Sequence, residues 1–328
     1  MLAGSLSLPF FTELEKAQTV LVAGAGGGYD VFSGLPLFFA LRDAGKKAFL
    51  ANLSFSQLEG ATGPRLAPAV LEVTADAKSI LGYFPEYHLA RWFREQGEEV
   101  SVYCFERTGV NPLREAYQAL ASHLKADAVV LVDGGTDSLM CGDEAGLGTP
   151  EEDVASIAAV DDLAVEQKYL VCLGFGVDNF HGVCHAHNLE AVADLTRRGA
   201  YLGAFSLVQE MPAVRRYQDA TLAVFDAMPD APSIVSASIL SALEGHYGDH
   251  HRTARTRGST LWINPLMTLY WCFRLGPLAR RILYLEEVKN TKSYWELIEA
   301  IDQFRGRHSG IRERSLIPDV SLGRRTSR

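Results

Sequence analysis

Short runs of apolar and β-branched residues alternate with helix-like segments from residue 18 to about residue 208. This alternation is typical of β-α-β units, in which each strand returns to the same edge of a sheet through a helix. We therefore expect an α/β fold with a doubly wound, mostly parallel, Rossmann-like sheet. Six strands are predicted, over residues 19–23, 48–53, 100–105, 128–132, 169–173 and 201–207.

Helix starts are marked by capping residues and prolines. The string TPEE from Thr149 combines an N-cap, a first-turn proline and a capping-box acid, which predicts a helix over residues 150–164. Prolines predict two further helices over 85–97 and 111–123. The acidic residues 151–153 are explained by the favourable field at a helix N-terminus alone.

Strand patterns fade after residue 210 and apolar helical patterns dominate. We predict a Rossmann-like core over residues 1–210 and a helical extension packed on it over residues 211–328. The segment 261–275 is expected to be a buried helix. Two more apolar helical segments are predicted around 233–243 and 293–304, and Arg324, Arg325 and Arg328 predict a flexible, solvated basic tail.

Three of the predicted strands end in glycines followed by an aspartate. The first runs into GAGGGYD, ending at Asp30, the fourth into DGGTD, with Asp133 and Asp137, and the fifth into GFGVD, ending at Asp178. Because the carboxyl ends of parallel strands face one side, these loops predict a single polar site for a small ligand. Glycines let backbone N–H groups approach an anion closely. The glycines expected to bind the ligand are Gly26, Gly27, Gly28, Gly134 and Gly135.

The first loop departs from the dinucleotide-binding pattern. After Gly24 and Gly26, the third glycine position holds Tyr29, and the second strand ends in Asn52 and Ser54 instead of an acid. A tight turn between strand and helix explains these glycines equally well. The spacing argues against NAD as a cofactor.

The stretch DGGTDSLMCGDE, from Asp133, holds four carboxylates within twelve residues at the end of a buried strand. Such groups repel one another unless a cation neutralises them, and Mg²⁺ or Mn²⁺ prefers carboxylate oxygens. We expect Asp133, Asp137 and Asp178 to bind the metal, with Asp30 and Asp143 as second candidates for ligand or base. The alternative is a solvated acidic loop.

Two further groups of polar residues are candidates for proton transfer and for ligand binding. In the string HGVCHAHNLE, His181 lies closest to a strand end and is expected to act as general acid or base. Zinc bound by these histidines and Glu190 is an alternative without a closed ligand spacing to support it. The loop 246–264 is either solvated or folds over the sheet to bind a phosphate or carboxylate through Arg252, Arg255 and Arg257.

Composition excludes several classes of protein. The net charge of −9 argues against nucleic acid as a partner. Five widely spaced cysteines without a CxxC pair predict reduced thiols and a cytoplasmic location. The longest apolar stretch is too short to span a membrane. The 328 residues fit one large or two smaller domains and leave a homo-oligomer open.

Several strings in a fixed order carry a family resemblance: GAGGGYD, DGGTDSLMCGDE with GTPEED, GFGVDNFHGV, and RTRGSTLWINPLM. Together they resemble an uncharacterised prokaryotic family of unknown function, over residues 19–318. The resemblance implies no activity, so the functional hypothesis rests on the residues.

Our first hypothesis is a metal-assisted enzyme, most simply a hydrolase, acting on a phosphorylated or nucleotide-like small molecule. The first alternative is a nucleotide-dependent oxidoreductase with an aberrant glycine loop. The second is a protein that senses a metabolite without converting it.

Overall fold

The computed structural model describes residues 6–78 and 82–317, and its centre is a nine-stranded sheet. The strands are β1 (Thr19–Gly24), β2 (Lys47–Leu53), β3 (Arg65–Ala67), β4 (Val70–Val73), β5 (Val102–Phe105), β6 (Ala128–Asp133), β7 (Gln167–Cys172), β8 (Tyr201–Ser206) and β9 (Leu269–Arg274). Their order is β3-β4-β5-β2-β1-β6-β7-β9-β8.

The five central strands, from β5 to β7, pair in parallel. Both edges of the sheet are antiparallel, since β4 pairs with β5 and β9 pairs with both β7 and β8. From β1 the chain first adds β2 and then β5 on one side, and later adds β6 and β7 on the other. A crevice therefore opens between the carboxyl ends of β1 and β6, where ligands bind in sheets of this kind.

Helices cover both faces of the sheet. Successive side chains of β1 point to opposite faces of the sheet, and both faces are apolar. Val20 and Val22 belong to one buried cluster, and Leu21 and Ala23 belong to the other. The helices are α1 (Pro9–Leu14), α2 (Asp30–Ser33), α3 (Leu35–Asp43), α4 (Pro85–Glu95), α5 (Val110–Leu124), α6 (Pro150–Asp161), α7 (His185–Arg197), α8 (Pro212–Ala227), α9 (Ile234–Leu243), α10 (Leu275–Ala279), α11 (Leu285–Val288) and α12 (Tyr294–Arg307).

All six strands predicted from the apolar pattern are confirmed, with shifts of one or two residues at their ends. The predicted helices α4, α5 and α6 are confirmed, as are α9 and α12 near the segments 233–243 and 293–304. The short hairpin of β3 and β4 was not predicted.

The prediction of a buried helix over 261–275 is wrong. A short 3-10 helix, Pro265–Thr268, leads into β9, which lies between β7 and β8. The sequence LYWCFR in β9 is rich in aromatic residues, which fit the pleated surface of a sheet better than a helix. The sheet thus includes a strand from the last third of the chain.

Three other predictions concern the whole chain. The boundary at residue 210 stays a prediction, and the basic tail with Arg324, Arg325 and Arg328 lies outside the described residues. None of the described helices combines the length and apolar character that a bilayer crossing requires. All five cysteines are free, as their spacing predicted, and all five are buried.

Candidate functional site

The loops that follow β1, β6 and β7 bring their aspartates together at the crevice. Asp30, Asp133 and Asp178 are each at most 8% exposed. Burial raises the pKa of Asp133 well above its usual value, and the charges of Asp137, Asp30 and Asp178 raise it further. Such coupling requires the carboxylates to lie close together in a poorly solvated space.

Three carboxylates form the tightest group, which we call the acidic triad: Asp30, Asp133 and Asp153. One oxygen from each lies within 4.8 Å of the others. Asp30 Oδ2 accepts a hydrogen bond of 2.6 Å from the Gly26 N–H, and Asp133 Oδ2 accepts from the Ser138 hydroxyl and N–H. Both oxygens of Asp153 are buried, and within the described part of the chain neither has a hydrogen-bond partner. The triad therefore presents acceptor oxygens that no described residue neutralises.

Asp153 reaches the triad because α6 packs its first turn against the glycine loop. A Cβ on Gly26 would lie 2.7 Å from Asp153 Oδ1 and 2.8 Å from Asp30 Oδ2, so only glycine lets both carboxylates approach. Sequence analysis missed Asp153, since it assigned residues 151–153 to the helix dipole. The available signal was the run VASIAAV directly after it, because a helix that is apolar on all sides is buried together with its first turn.

Burial and mutual repulsion raise the pKa values of the triad carboxyls. Burial, and then the charge of Asp137, raises the pKa of Asp30 to about 8, although the Gly26 hydrogen bond opposes the shift. Burial and neighbouring carboxylates raise the pKa of Asp153 well above its usual value. The triad carboxyls therefore bind protons more readily than free aspartates do, and a divalent cation would compete with those protons.

Asp137 and Asp178, both predicted metal ligands, flank the triad instead of joining it. Asp137 Oδ2 accepts from the Thr149 N–H at 2.8 Å, and Asp178 Oδ2 accepts from the Thr136 N–H at 2.6 Å. Burial raises the pKa of both carboxyls. Of the three predicted ligands, only Asp133 lies in the triad.

The predicted glycines give room to carboxylates and aromatic rings. Gly27 and Gly28 have φ angles of +94° and +61°, a left-handed region that favours glycine, and the Phe55 ring packs against Gly27. A Cβ on Gly134 would lie 2.6 Å from Asp30 Oδ1, and one on Gly135 would lie 2.7 Å from Asp178.

A cavity of about 490 Å³ opens beside the triad. Asp30 and the glycines Gly27 and Gly28 line one side, and residues from the start of α9 line another. His181 and Arg255 contribute the groups of the lining that can carry positive charge. This volume suits a small organic molecule.

The three predicted arginines have different surroundings. Arg255 and Arg257 are both exposed, but Arg255 also lines the cavity, and Arg252 pairs with Glu244. The proposed zinc set is also dispersed: Glu190 pairs with Arg312 at 2.6 Å, and no histidine belongs to a metal-capable group within the described residues.

Asp143 lies in a second acidic group, with Cys141 and Glu144, which we call the Arg312 cluster. Arg312 Nη2 lies 2.7 Å from Asp143 Oδ1 and 2.9 Å from Glu144 Oε1. Partial burial alone would raise the pKa of Asp143, but the hydrogen bonds from Arg312 and Cys141 lower it on balance. Asp143 is therefore paired inside the protein, apart from the residues that line the cavity.

Asn52 occupies the strand end where dinucleotide-binding proteins carry an acid. It is fully buried and donates to the Gly28 carbonyl and to Glu86 Oε1, both at 2.8 Å, while its Oδ1 accepts from the Val31 N–H. Burial raises the pKa of Glu86 despite these contacts. Asn52 thus holds the glycine loop in place, and its polar atoms are already engaged within the protein.

Comparisons with known proteins place the chain in a family. No curated protein and no solved structure is significantly similar to it. The model of the family described as "Protein of unknown function (DUF1152)" matches residues 21–308, which agrees with the resemblance seen in the sequence motifs. The chain therefore belongs to the DUF1152 family.

Proposed function

We propose that the protein is a metal-dependent hydrolase that acts on a phosphorylated or nucleotide-like small molecule, with Mg²⁺ or Mn²⁺ bound by the acidic triad. One observation carries the proposal: Asp153 buries two carboxylate oxygens without a hydrogen-bond partner, within 4.8 Å reach of Asp30 and Asp133. An unpaired buried carboxylate is unfavourable unless a proton or a metal cation neutralises it.

The donor set fits a hard divalent cation. Magnesium and manganese prefer carboxylate oxygens and keep open positions for water and substrate. Such a cation lowers the pKa of bound water and polarises a phosphoryl oxygen. Asp137 and Asp178, which flank the triad through their contacts with Thr149 and Thr136, add negative potential that favours the cation.

His181 supplies the proton-transfer group in this proposal. It ends the 3-10 helix Val177–His181, which follows β7, and lines the cavity beside Asp30. An exposed imidazole at this place can give a proton to a leaving group or take one from water.

The fold, the contacts of Asn52 and the cysteines also support the proposal. We interpret the central order β5-β2-β1-β6-β7 as a doubly wound, Rossmann-like core, and the helices after residue 211 as an extension packed on it. The engaged polar atoms of Asn52 favour the hydrolase over an NAD-dependent oxidoreductase. The five free cysteines support a cytoplasmic location.

The test is Mn²⁺ binding to the wild type and to Asp153→Asn, by calorimetry and by electron paramagnetic resonance. We expect the variant to bind at least about tenfold more weakly, since it loses a charged ligand. The matched control is Glu151→Gln, an acid-to-amide change in the first turn of the same helix and outside the triad, which should bind as the wild type does. Equal binding by wild type and Asp153→Asn, or no binding by the wild type, contradicts the proposal.

A further inference from the structure

The cavity beside the acidic triad is lined by the buried hydroxyl of Ser33. Ser33 is 1% exposed, and its Oγ makes no hydrogen bond with any residue of the ranges 6–78 and 82–317. It lies one turn after Asp30 in α2, and a Cβ on Gly134 would approach both side chains. Ser33 does not cap a helix, since the N-cap of α3 is Gly34. A buried hydroxyl that is free to donate, next to a candidate metal centre, indicates a ligand contact.

Arg255 adds a cation to the same cavity. One of its N–H groups donates to the Pro232 carbonyl at 2.7 Å, which anchors the side chain. Within the described residues Arg255 has no ion pair, whereas the nearby Arg252 is paired with Glu244. Burial raises the pKa of Tyr29 and Tyr83, and the charge of Arg255 opposes the shift at both phenols. The guanidinium therefore lies close to two phenols that face the cavity.

The remaining walls of the cavity are mostly apolar, with Asp230 and Ser233 as their polar members. Tyr29 and Tyr83 contribute aromatic rings, and Ile234 and Val235 contribute aliphatic side chains from α9. A sugar needs hydrogen-bonding groups around it, but in these walls Ser233 already accepts a hydrogen bond from the Ser236 N–H and Asp230 is exposed. A planar ring system suits aromatic and aliphatic walls better.

We propose that this cavity binds a nucleoside monophosphate, with Arg255 and Ser33 contacting its phosphate and Tyr29 and Tyr83 packing against its base. The inference rests on the proposed function, because it names the substrate class of the same site. The triad and its flanking carboxylates would repel a phosphate in the absence of compensating charge. Arg255 in the cavity and the divalent cation in the triad provide the positive charge that offsets this repulsion.

The experiment is calorimetric titration with AMP, GMP, CMP and UMP, with and without saturating Mn²⁺. Adenosine, inorganic phosphate and glucose 6-phosphate serve as comparison ligands. We expect at least one monophosphate to bind more tightly than all three comparison ligands, because only a nucleotide uses both the cation and the apolar walls.

Variants then assign the contacts. Arg255→Gln should weaken nucleotide binding by about tenfold or more, and Ser33→Ala by about threefold, since hydrogen bonds to charged groups are the stronger ones. Arg255→Lys should retain part of the affinity, and the exposed Arg257→Gln serves as the matched control with no change. Mn²⁺ affinity should be equal in Arg255→Gln and wild type.

Three results overturn the inference: no monophosphate binds, glucose 6-phosphate binds as tightly as the best nucleotide, or Arg255→Gln binds nucleotide as the wild type does. If Arg255→Gln does not fold, Arg255→Lys replaces it. Weaker nucleotide binding by Arg255→Lys than by the wild type then supports the inference, and equal binding overturns it. Normal Mn²⁺ binding together with any of these results leaves the metal proposal standing. Nucleotide binding that depends on Arg255 in a wild type that binds no Mn²⁺ contradicts the metal proposal alone.

Discussion

The acidic triad and the Arg312 cluster contain similar ligand atoms but differ in what neutralises them. In both groups the atoms that could bind a metal ion lie within 4.8 Å of one another. In the Arg312 cluster, Glu144 accepts hydrogen bonds from the N–H groups of Cys141 and Gly142 and from Arg312. In the triad, Asp153 accepts none from the residues that the structure describes. Two groups of neighbouring acids therefore differ in whether hydrogen bonds and a cation of the protein already neutralise them.

We expect the largest effect from a change of pH, because the acidic triad and the Arg312 cluster contribute to stability with opposite pH dependence. Asp30 has a pKa raised from 3.8 to about 8 by burial, so its stabilising contribution is complete below the unfolded pKa and is lost as pH rises through the folded pKa. Asp143 has a lowered pKa, so its contribution is complete above the unfolded pKa and is lost as pH falls through the folded pKa.

Without metal, the free energy of unfolding should fall on the order of 4 kcal/mol between about pH 5 and about pH 8. Urea denaturation across this range measures the change. Saturating Mn²⁺ should remove most of the fall, and Asp153→Asn should flatten it by removing a like charge. Stability that is constant or rising from pH 5 to pH 8 in the metal-free protein would show that the triad is not under electrostatic strain.

A second prediction concerns the cation of the Arg312 cluster. Arg312→Gln leaves Glu144, which is fully buried, without its charged partner. We expect a loss of about 2 to 3 kcal/mol in the free energy of unfolding, smaller than for a fully buried pair because Arg312 is partly exposed. Thermal and urea denaturation measure it.

The control for this prediction is Arg307→Gln, whose contact with Glu287 is exposed and should contribute less than about 0.5 kcal/mol. Adding Glu144→Gln to Arg312→Gln should restore part of the stability, since it removes the unpaired charge. Mn²⁺ binding should remain unchanged in all three variants. Weakened Mn²⁺ binding in Arg312→Gln would mean that the two acidic groups are not independent.

The smallest effect should come from Gly26→Ala. The added Cβ would lie within 2.8 Å of both Asp153 and Asp30 and should push the triad oxygens apart. We expect about tenfold weaker Mn²⁺ binding with little change in fold, because metal sites tolerate small displacements poorly. Gly306→Ala, where no described atom lies within 4 Å of the added Cβ, is the control. Unchanged binding in Gly26→Ala would place the cation elsewhere.

Prediction from sequence succeeded where the pattern is local. The central strands follow from alternation between two buried faces, and α6 begins at the predicted proline, although the Thr149 side chain does not cap it. It failed for β9, because an apolar run of this length does not distinguish a strand from a buried helix. Only the antiparallel place between β7 and β8 decides that case.

For the candidate site, the sequence located the loops but not all of the groups that meet there. Asp30 and Asp133 follow strand ends, so their loops could be predicted to converge. Asp153 could not be assigned in the same way, because it belongs to a helix start that carries acids for an ordinary electrostatic reason. Among three arginines in one loop, spacing gave no means to select Arg255.

The sequence by itself determined the β-α order, the glycine and aspartate loops at the strand ends and the family of the chain. These properties depend on neighbouring residues and on the periodicity of apolar positions. Only the tertiary structure decided that Asp153 joins Asp30 and Asp133 and that Arg312 neutralises the other acidic group. Both outcomes depend on which distant segments pack together, and the repulsion or pairing of buried charges arises only after that packing has excluded water.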